Sequence, residues 1–124
     1  MWLERAFLVG LFAQLLFIGF GVFPRSGDAS PFARHRTWGF ILGDFAVLLF
    51  LSAVAARADG KTVLFALTVG LLTFLAQPLL VSARHRAPVV AALHPVNALI
   101  IFWLTLVLIR RSTALVASSA PKDA

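Results

Sequence analysis

The chain has 124 residues, of which 60% are hydrophobic, and a formal net charge of +6. Its mean hydropathy of +0.94 is far above that of a water-soluble domain of this length, so the composition predicts an integral membrane protein. The absence of cysteine excludes disulfides, thiolate metal ligands and covalent attachment of a c-type haem. The positively charged residues flank the apolar segments. This placement favours contact with lipid headgroups and disfavours a nucleic-acid partner.

Four apolar segments are long enough to cross a hydrocarbon core of about 30 Å as helices. In chain order the predicted spans are residues 6–23, 37–56, 62–82 and 88–109. Short connections force neighbouring spans to run in opposite directions. The sequence therefore predicts an all-α, up-down four-helix transmembrane bundle over residues 1–111 and a flexible polar tail over 112–124. Orientation stays open, because both faces carry similar positive charge.

Each predicted span carries one stripe of small and polar residues on a surface of Leu, Phe and Val. Residues three, four and seven apart share a helix face. The stripes are Gly10, Gln14 and Gly21; His35, Gly39 and Gly43; Gly70, Thr73 and Gln77; and His94, Asn97, Ala98 and Thr105. Because small and polar residues in membrane helices pack against protein, we expect all four stripes to face the bundle interior.

His94 lies well inside the fourth span and is the most informative residue of the sequence. An ionisable side chain at such a position is a candidate for binding a ligand, a proton path or a partner. Hydrogen bonding to Gln77, or to a carbonyl freed by Pro95, is the structural alternative. His35 opens the second span on the same side of the membrane, where a purely interfacial role also stays open. Asn97 is expected to hydrogen-bond across the bundle or to orient His94.

The two histidines belong to alternate helices and would approach one cofactor from opposite sides. Two imidazoles, no cysteine and a dry bundle core favour one b-type haem, with His35 and His94 as ligands of its iron. The other residues predicted to line this site are Gly39, Gly43, Gln77 and Asn97. The arginines predicted to meet haem propionates or lipid phosphates at that end are Arg34, Arg36, Arg84 and Arg86. A zinc site is less favoured, because the third histidine, His85, falls in a connection.

Asp44 is a second ionisable residue inside a predicted span. It follows His35 by nine residues, which places it on the opposite face of the helix. An ionised carboxylate is costly in lipid. Asp44 is therefore expected to be protonated, to pair with a polar group on a neighbouring helix, or to contact another subunit. The partners in the last case are other membrane subunits or copies of the same chain.

Short motifs distributed along the spans carry a resemblance to known proteins. They are Gln14, Gly19-Phe20-Gly21-Val22-Phe23, His35-Arg36-Thr37-Trp38-Gly39, Gln77 and Leu93-His94-Pro95-Val96-Asn97. In these motifs the chain resembles an uncharacterised family of small bacterial four-span membrane proteins, a resemblance that implies the fold. The bundle is also similar to haem A synthase and to membrane b-type cytochromes, which hold haem between histidines of different helices. Those proteins often carry two haems, whereas this chain offers one bis-histidine site.

Three functions stay open at this stage. The first is electron transfer through one bound haem, with a quinone as redox partner, in the bacterial inner membrane. The second is an accessory or assembly subunit of a larger membrane complex without its own cofactor. The third, a small transporter or a proton-coupled module, is disfavoured by the short connections and the single shallow polar layer. No nucleophile–base arrangement or phosphate-binding loop is evident, so the sequence predicts no independent catalytic activity.

Overall fold

The computed structural model describes residues 2–118 and shows an all-α bundle of four spans. The first two spans are single helices, α1 (Trp2–Val22) and α2 (Ala33–Ala55). The third consists of α3 (Gly60–Leu71), a π-helical turn (Leu72–Ala76), α4 (Gln77–Ser82) and a 3-10 turn (Ala83–His85). The fourth consists of α5 (Pro88–Ala91) and α6 (Leu93–Ser118). All four are long and apolar enough to cross a membrane, which confirms the predicted fold class.

The helices extend beyond the apolar segments from which they were predicted. α1 begins at Trp2 and α2 at Ala33, because the polar residues that flank a span continue its helix into the headgroup region. α6 continues to Ser118, through the first part of the predicted flexible tail. Ser112 donates a hydrogen bond to Glu4 of α1, which holds this extension against the bundle. The remainder of the predicted tail, residues 119–124, lies outside the described residues.

Each span packs against two neighbours, which gives the bundle a square cross-section. α2 contacts α1 and the third span, and α6 contacts the same two elements. α2 and α6 are therefore diagonal to each other, as are α1 and the third span. Inward-facing side chains of α2 and α6 consequently meet across the bundle axis.

An apolar core joins the four spans. Its buried residues are Phe7, Leu42, Ala46, Leu49, Val69, Ile101 and Leu104. α1 and α2 approach closely at Gly10, whose carbonyl accepts a 2.8 Å hydrogen bond from Nε1 of Trp38. A Cβ atom at Gly10 would lie only 2.7 Å from Cδ2 of Leu42, so a larger residue there would displace the Leu42 side chain. The small-residue stripe of α1 thus faces protein, as predicted.

A π-helical turn interrupts the third span immediately before Pro78. Proline has no N–H and its ring clashes with the carbonyl four residues earlier, and the wider π turn accommodates both effects. The carbonyl of Leu72 accepts from the backbone N–H of Gln77 and, at 3.2 Å, from Nδ2 of Asn97 on α6. Of the two roles considered for Asn97, hydrogen bonding across the bundle is the one that the geometry supports.

Candidate histidine site

Four polar side chains, one from each span, lie around the bundle axis in the half next to the α1–α2 connection. They are Gln14 on α1, His35 on α2, Gln77 in the third span and His94 on α6, and we call them the histidine layer. The rings of His35 and His94 meet across the diagonal, with centroids 6.3 Å apart and planes inclined by 77°. The main chain of Gln77 is within reach of the His94 imidazole. The two histidines singled out from the sequence are therefore neighbours.

Gln14 fixes the orientation of His35. Nδ1 of His35 lies 3.3 Å from the backbone oxygen of Gln14, and Nε2 lies 3.5 Å from the Gln14 side-chain nitrogen. A carbonyl only accepts and an amide nitrogen only donates, so these contacts assign the proton to Nδ1 and a lone pair to Nε2. Gln14 was in the inward stripe of the first span but was not predicted as a site residue. Its position in the stripe and its place among the motifs of the resemblance were the signals, and neither gives its contact with His35, because the register of α1 against α2 is not encoded locally.

The histidine layer contains polar atoms that the protein leaves without hydrogen bonds. Within residues 2–118, Oε1 of Gln14, Oε1 of Gln77 and Nδ1 of His94 are buried and have no partner. An unsatisfied polar atom inside a membrane costs free energy, since neither lipid nor an apolar core can replace its hydrogen bond to water. Three such atoms in one layer are therefore available to hydrogen-bond or coordinate a group from outside the described chain.

Two glycines predicted to make room for a macrocycle face side chains. A Cβ atom at Gly39 would lie 3.1 Å from Nε2 of Gln14. A Cβ atom at Gly43 would lie 3.4 Å from Cδ2 of Phe74 in the π-helical turn. The space beside Gly39 is thus occupied by the amide that contacts His35. A flat ligand between the histidines requires the Gln14 side chain to move.

The predicted arginines lie at the same end of the bundle as the histidine layer, and all four are exposed: Arg34, Arg36, Arg84 and Arg86. Nη1 of Arg84 is 3.4 Å from the carbonyl of Val81. Arg34 lines an open cleft of about 340 Å³ with Phe17 and Trp38, on the outer surface between α1 and α2. His85 is exposed in the 3-10 turn, and residues 2–118 contain no cluster of three or more acidic, histidine or cysteine side chains that could hold a metal ion.

The opposite end of the bundle is closed by polar contacts that the sequence analysis missed, and we call it the closed end. Asp59 caps α3 and accepts hydrogen bonds from the Thr62 amide and hydroxyl and, at 2.7 Å, from Nη2 of Arg111. The Thr62 hydroxyl, helped by Arg111, holds the pKa of Asp59 below its usual value of 3.8. Ser112 donates to Glu4 at 2.8 Å. These pairs tie α6 to the third span and to α1.

Asp44 lies apart from both ends. It is at the midpoint of α2 and is exposed on the outer surface of the bundle. Its carboxylate has no hydrogen bond or ion pair with any of residues 2–118. Of the three states expected for Asp44, pairing with a polar group on a neighbouring helix of the same chain is therefore not the one observed.

The histidine layer can supply two imidazole nitrogens to a metal and amide groups to a polar ligand. Its apolar surroundings exclude water and strengthen any electrostatic contact made inside. Comparisons with protein-family models, curated proteins and solved structures give no match to this chain.

Proposed function

We propose that the bundle binds one b-type haem, whose iron would be held by His35 and His94, and transfers electrons within the membrane. The observation that carries the proposal is the close approach of the His35 and His94 rings across the bundle axis, with centroids 6.3 Å apart. With metal–nitrogen bonds of about 2 Å, two imidazoles on opposite sides of one metal ion have centroids about 6 Å apart. The separation of the two rings supports this assignment.

The hydrogen bond from His35 to α1 supports the same assignment. Histidines that bind metals commonly donate their second ring nitrogen to a backbone carbonyl, which fixes the tautomer and orients the ring. His35 makes this contact through Nδ1, to the carbonyl of Gln14. Its Nε2 lone pair is then the ligating atom, once the Gln14 amide has moved aside.

One unsatisfied atom of the histidine layer, a ring nitrogen of His94, suits a ligand of this kind. Nδ1 of His94 is buried without a partner in the described chain, which leaves this nitrogen available as a ligand or as a hydrogen-bond donor. The groups that could donate hydrogen bonds to the haem carboxylates are the side-chain Nε2 atoms of Gln14 and Gln77 and the exposed arginines. When bound, haem supplies one-electron transfer, and burial and hydrogen bonding by the protein set its potential.

We further propose a quinone as redox partner and the bacterial inner membrane as location. Helical spans, as opposed to barrel strands, suit an inner membrane. A lipid-soluble carrier can approach the histidine layer from the bilayer, since apolar side chains form most of the outer surface.

An absorption spectrum of the protein, purified in detergent from cells supplied with haem precursors, tests the proposal. We expect a Soret band, reduced-state bands of a b-type haem and about one haem per chain. Haem titrated into the apoprotein should restore the same spectrum. His35→Ala and His94→Ala should each abolish the bis-histidine spectrum while retaining the helical circular dichroism of the parent protein.

His85→Ala is the matched control, because His85 is exposed and outside the histidine layer. It should bind haem like the parent protein. A colourless protein that gives no spectral change on haem titration would overturn the proposal. Equal loss of haem from His85→Ala and His94→Ala would show that binding is non-specific and would also overturn it.

A second candidate function is that of an accessory subunit of a larger membrane complex without its own cofactor. The exposed carboxyl group of Asp44 favours it, since that group needs a partner from outside the chain. Purification in a mild detergent separates the two candidates. Stable association with larger subunits, together with no haem, would support the accessory role.

A further inference from the structure

The outer face of α2 presents a carboxyl group at the middle of the membrane. Asp44 is eleven residues from each end of α2 (44 minus 33, and 55 minus 44), about 16 Å along the helix axis. The side chain is exposed and has no partner among residues 2–118. Water does not reach this depth on a lipid-facing surface, so an isolated carboxylate is strongly disfavoured there. The residue needs a polar partner that another polypeptide brings to the same depth.

The residues above and below Asp44 form a continuous seam on the same face. Their spacing alternates between four and three residues, which is the pattern of a helix that packs lengthwise against another helix. The seam consists of Thr37, Ile41, Asp44, Leu48, Leu51 and Ala55, all exposed. The residues of α2 that pack inside the bundle are a different set, Leu42, Gly43, Ala46 and Leu49. The seam is thus a second packing surface that the chain itself leaves uncovered.

From this geometry we infer that two copies of the chain form a parallel dimer through the seam, with the two Asp44 carboxyl groups hydrogen-bonded at the bilayer centre. Copies inserted in the same orientation are related by a two-fold axis along the membrane normal, which brings equivalent residues to equal depth. Asp44 of one copy then faces Asp44 of the other. A protonated carboxyl group both donates and accepts, so this pair is self-complementary, whereas two ionised carboxylates would repel.

The charges of the chain favour a second copy as the occupant. A partner pairing ionically with Asp44 would have to place a cation at the centre of the membrane. The lysines and arginines among the described residues lie at or beyond the ends of the spans, so an antiparallel copy supplies none. In the parallel dimer, the polar partner of Asp44 is Asp44 of the second copy. Ile41, Leu48 and Leu51 of one copy pack against the same residues of the other copy. The inference does not depend on haem binding.

Cysteine cross-linking of the full-length protein in native membranes tests the dimer, because the chain has no cysteine of its own. Single substitutions in the seam, Ile41→Cys and Leu48→Cys, should give disulfide-linked dimers on oxidation with copper phenanthroline. Val9→Cys on α1 and Leu99→Cys on α6 are matched controls, since both residues are exposed apolar positions outside the seam. They should give markedly less dimer at equal expression.

Variants of Asp44 then test the carboxyl pair. In the Leu48→Cys background, Asp44→Leu should weaken association about fivefold, the effect of one interhelical hydrogen bond in a membrane. Asp44→Asn should retain most of the dimer, because an amide also donates and accepts. Equal cross-linking at seam and control positions would overturn the dimer, as would cross-linking of Leu48→Cys to a different protein. Dimerisation unchanged in Asp44→Leu would overturn the carboxyl pair. The haem spectrum, measured in parallel, reports the proposed function separately.

Discussion

The two halves of the bundle differ in whether their polar groups have hydrogen-bond partners. At the closed end, Asp59 is bonded by Thr62 and Arg111, and Arg111 also lies over the Phe65 ring at 5.7 Å. In the histidine layer, three buried polar atoms have no partner within residues 2–118. Both halves belong to the same four helices, so helix packing alone does not explain the difference.

The contrast separates stability from binding. Polar groups that find partners inside a protein stabilise its fold, whereas unsatisfied ones cost free energy that the rest of the molecule must offset. Departures from complete hydrogen bonding are expected where function requires them. The closed end and the apolar core thus hold the bundle together, and the histidine layer is the part in which the fold leaves polar atoms without partners.

The largest effect is expected from a core substitution. Phe7 is fully buried and stacks edge-on against Phe45, with ring centroids 5.8 Å apart. Phe7→Ala should lower the free energy of unfolding by about 3 kcal/mol, through lost contacts and the cavity that remains. Unfolding in SDS, followed by circular dichroism, measures it. Gln14→Leu, two turns along α1, is the matched variant, and a similar loss there would contradict the division between the halves.

Removing a polar group whose nitrogen lacks a hydrogen-bond partner should instead raise the free energy of unfolding. His94→Leu replaces a half-buried imidazole whose Nδ1 has no partner in the described chain with an apolar side chain. We expect the ligand-free protein to gain about 1 kcal/mol of unfolding free energy while it loses haem binding. The same SDS unfolding measurement on apoprotein applies, with the exposed His85→Leu as control. Destabilisation by His94→Leu in the absence of ligand would show that His94 is a structural residue.

A smaller change in stability is expected at a buried polar residue that has a hydrogen-bond partner. Asn97 is buried and donates to the Leu72 carbonyl at 3.2 Å. Asn97→Leu should lower the free energy of unfolding by about 0.6 kcal/mol, the average for an interhelical hydrogen bond in a membrane protein. Thus Asn97→Leu and His94→Leu, two apolar substitutions one turn apart on α6, should change stability in opposite directions. Equal signs would contradict the distinction between satisfied and unsatisfied groups.

Much of the architecture could be predicted from sequence because hydropathy and helical period are local properties. The four spans, the inward stripes and the meeting of His35 with His94 follow from them. The contacts that cross the bundle could not be predicted in the same way. The Glu4–Ser112 and Asp59–Arg111 pairs are 108 and 52 residues apart, and no local pattern specifies which residues of distant helices stand at equal depth.

The contacts within the histidine layer were likewise not predictable from local sequence patterns. Gln14 contacts His35 only because α1 and α2 are in one particular register, which close packing at Gly10 sets. The π-helical turn changes the phase of the third span before Gln77, and Pro78 was the only local hint of it. Gly43 was expected to leave room for a ligand, but it receives the Phe74 side chain from that turn. Depth and periodicity therefore predict which residues gather, and packing decides what fills the space between them.

The smallest effect concerns the ion pair of the closed end, which is partly exposed to solvent. Because the folded state lowers the pKa of Asp59, the unfolded state binds its proton first as pH falls. The stabilisation from Asp59 is complete above its usual pKa of 3.8 and is lost as pH falls through the lower, folded value. The melting temperature in detergent should therefore decline below about pH 4. In Asp59→Asn the decline should be smaller, because the part caused by protonation of Asp59 is absent. Asp28→Asn is the control, since Asp28 lies in the α1–α2 connection, away from the closed end. If Asp59→Asn kept the full acid dependence, the contacts of Asp59 with Thr62 and Arg111 would not be what closes this end.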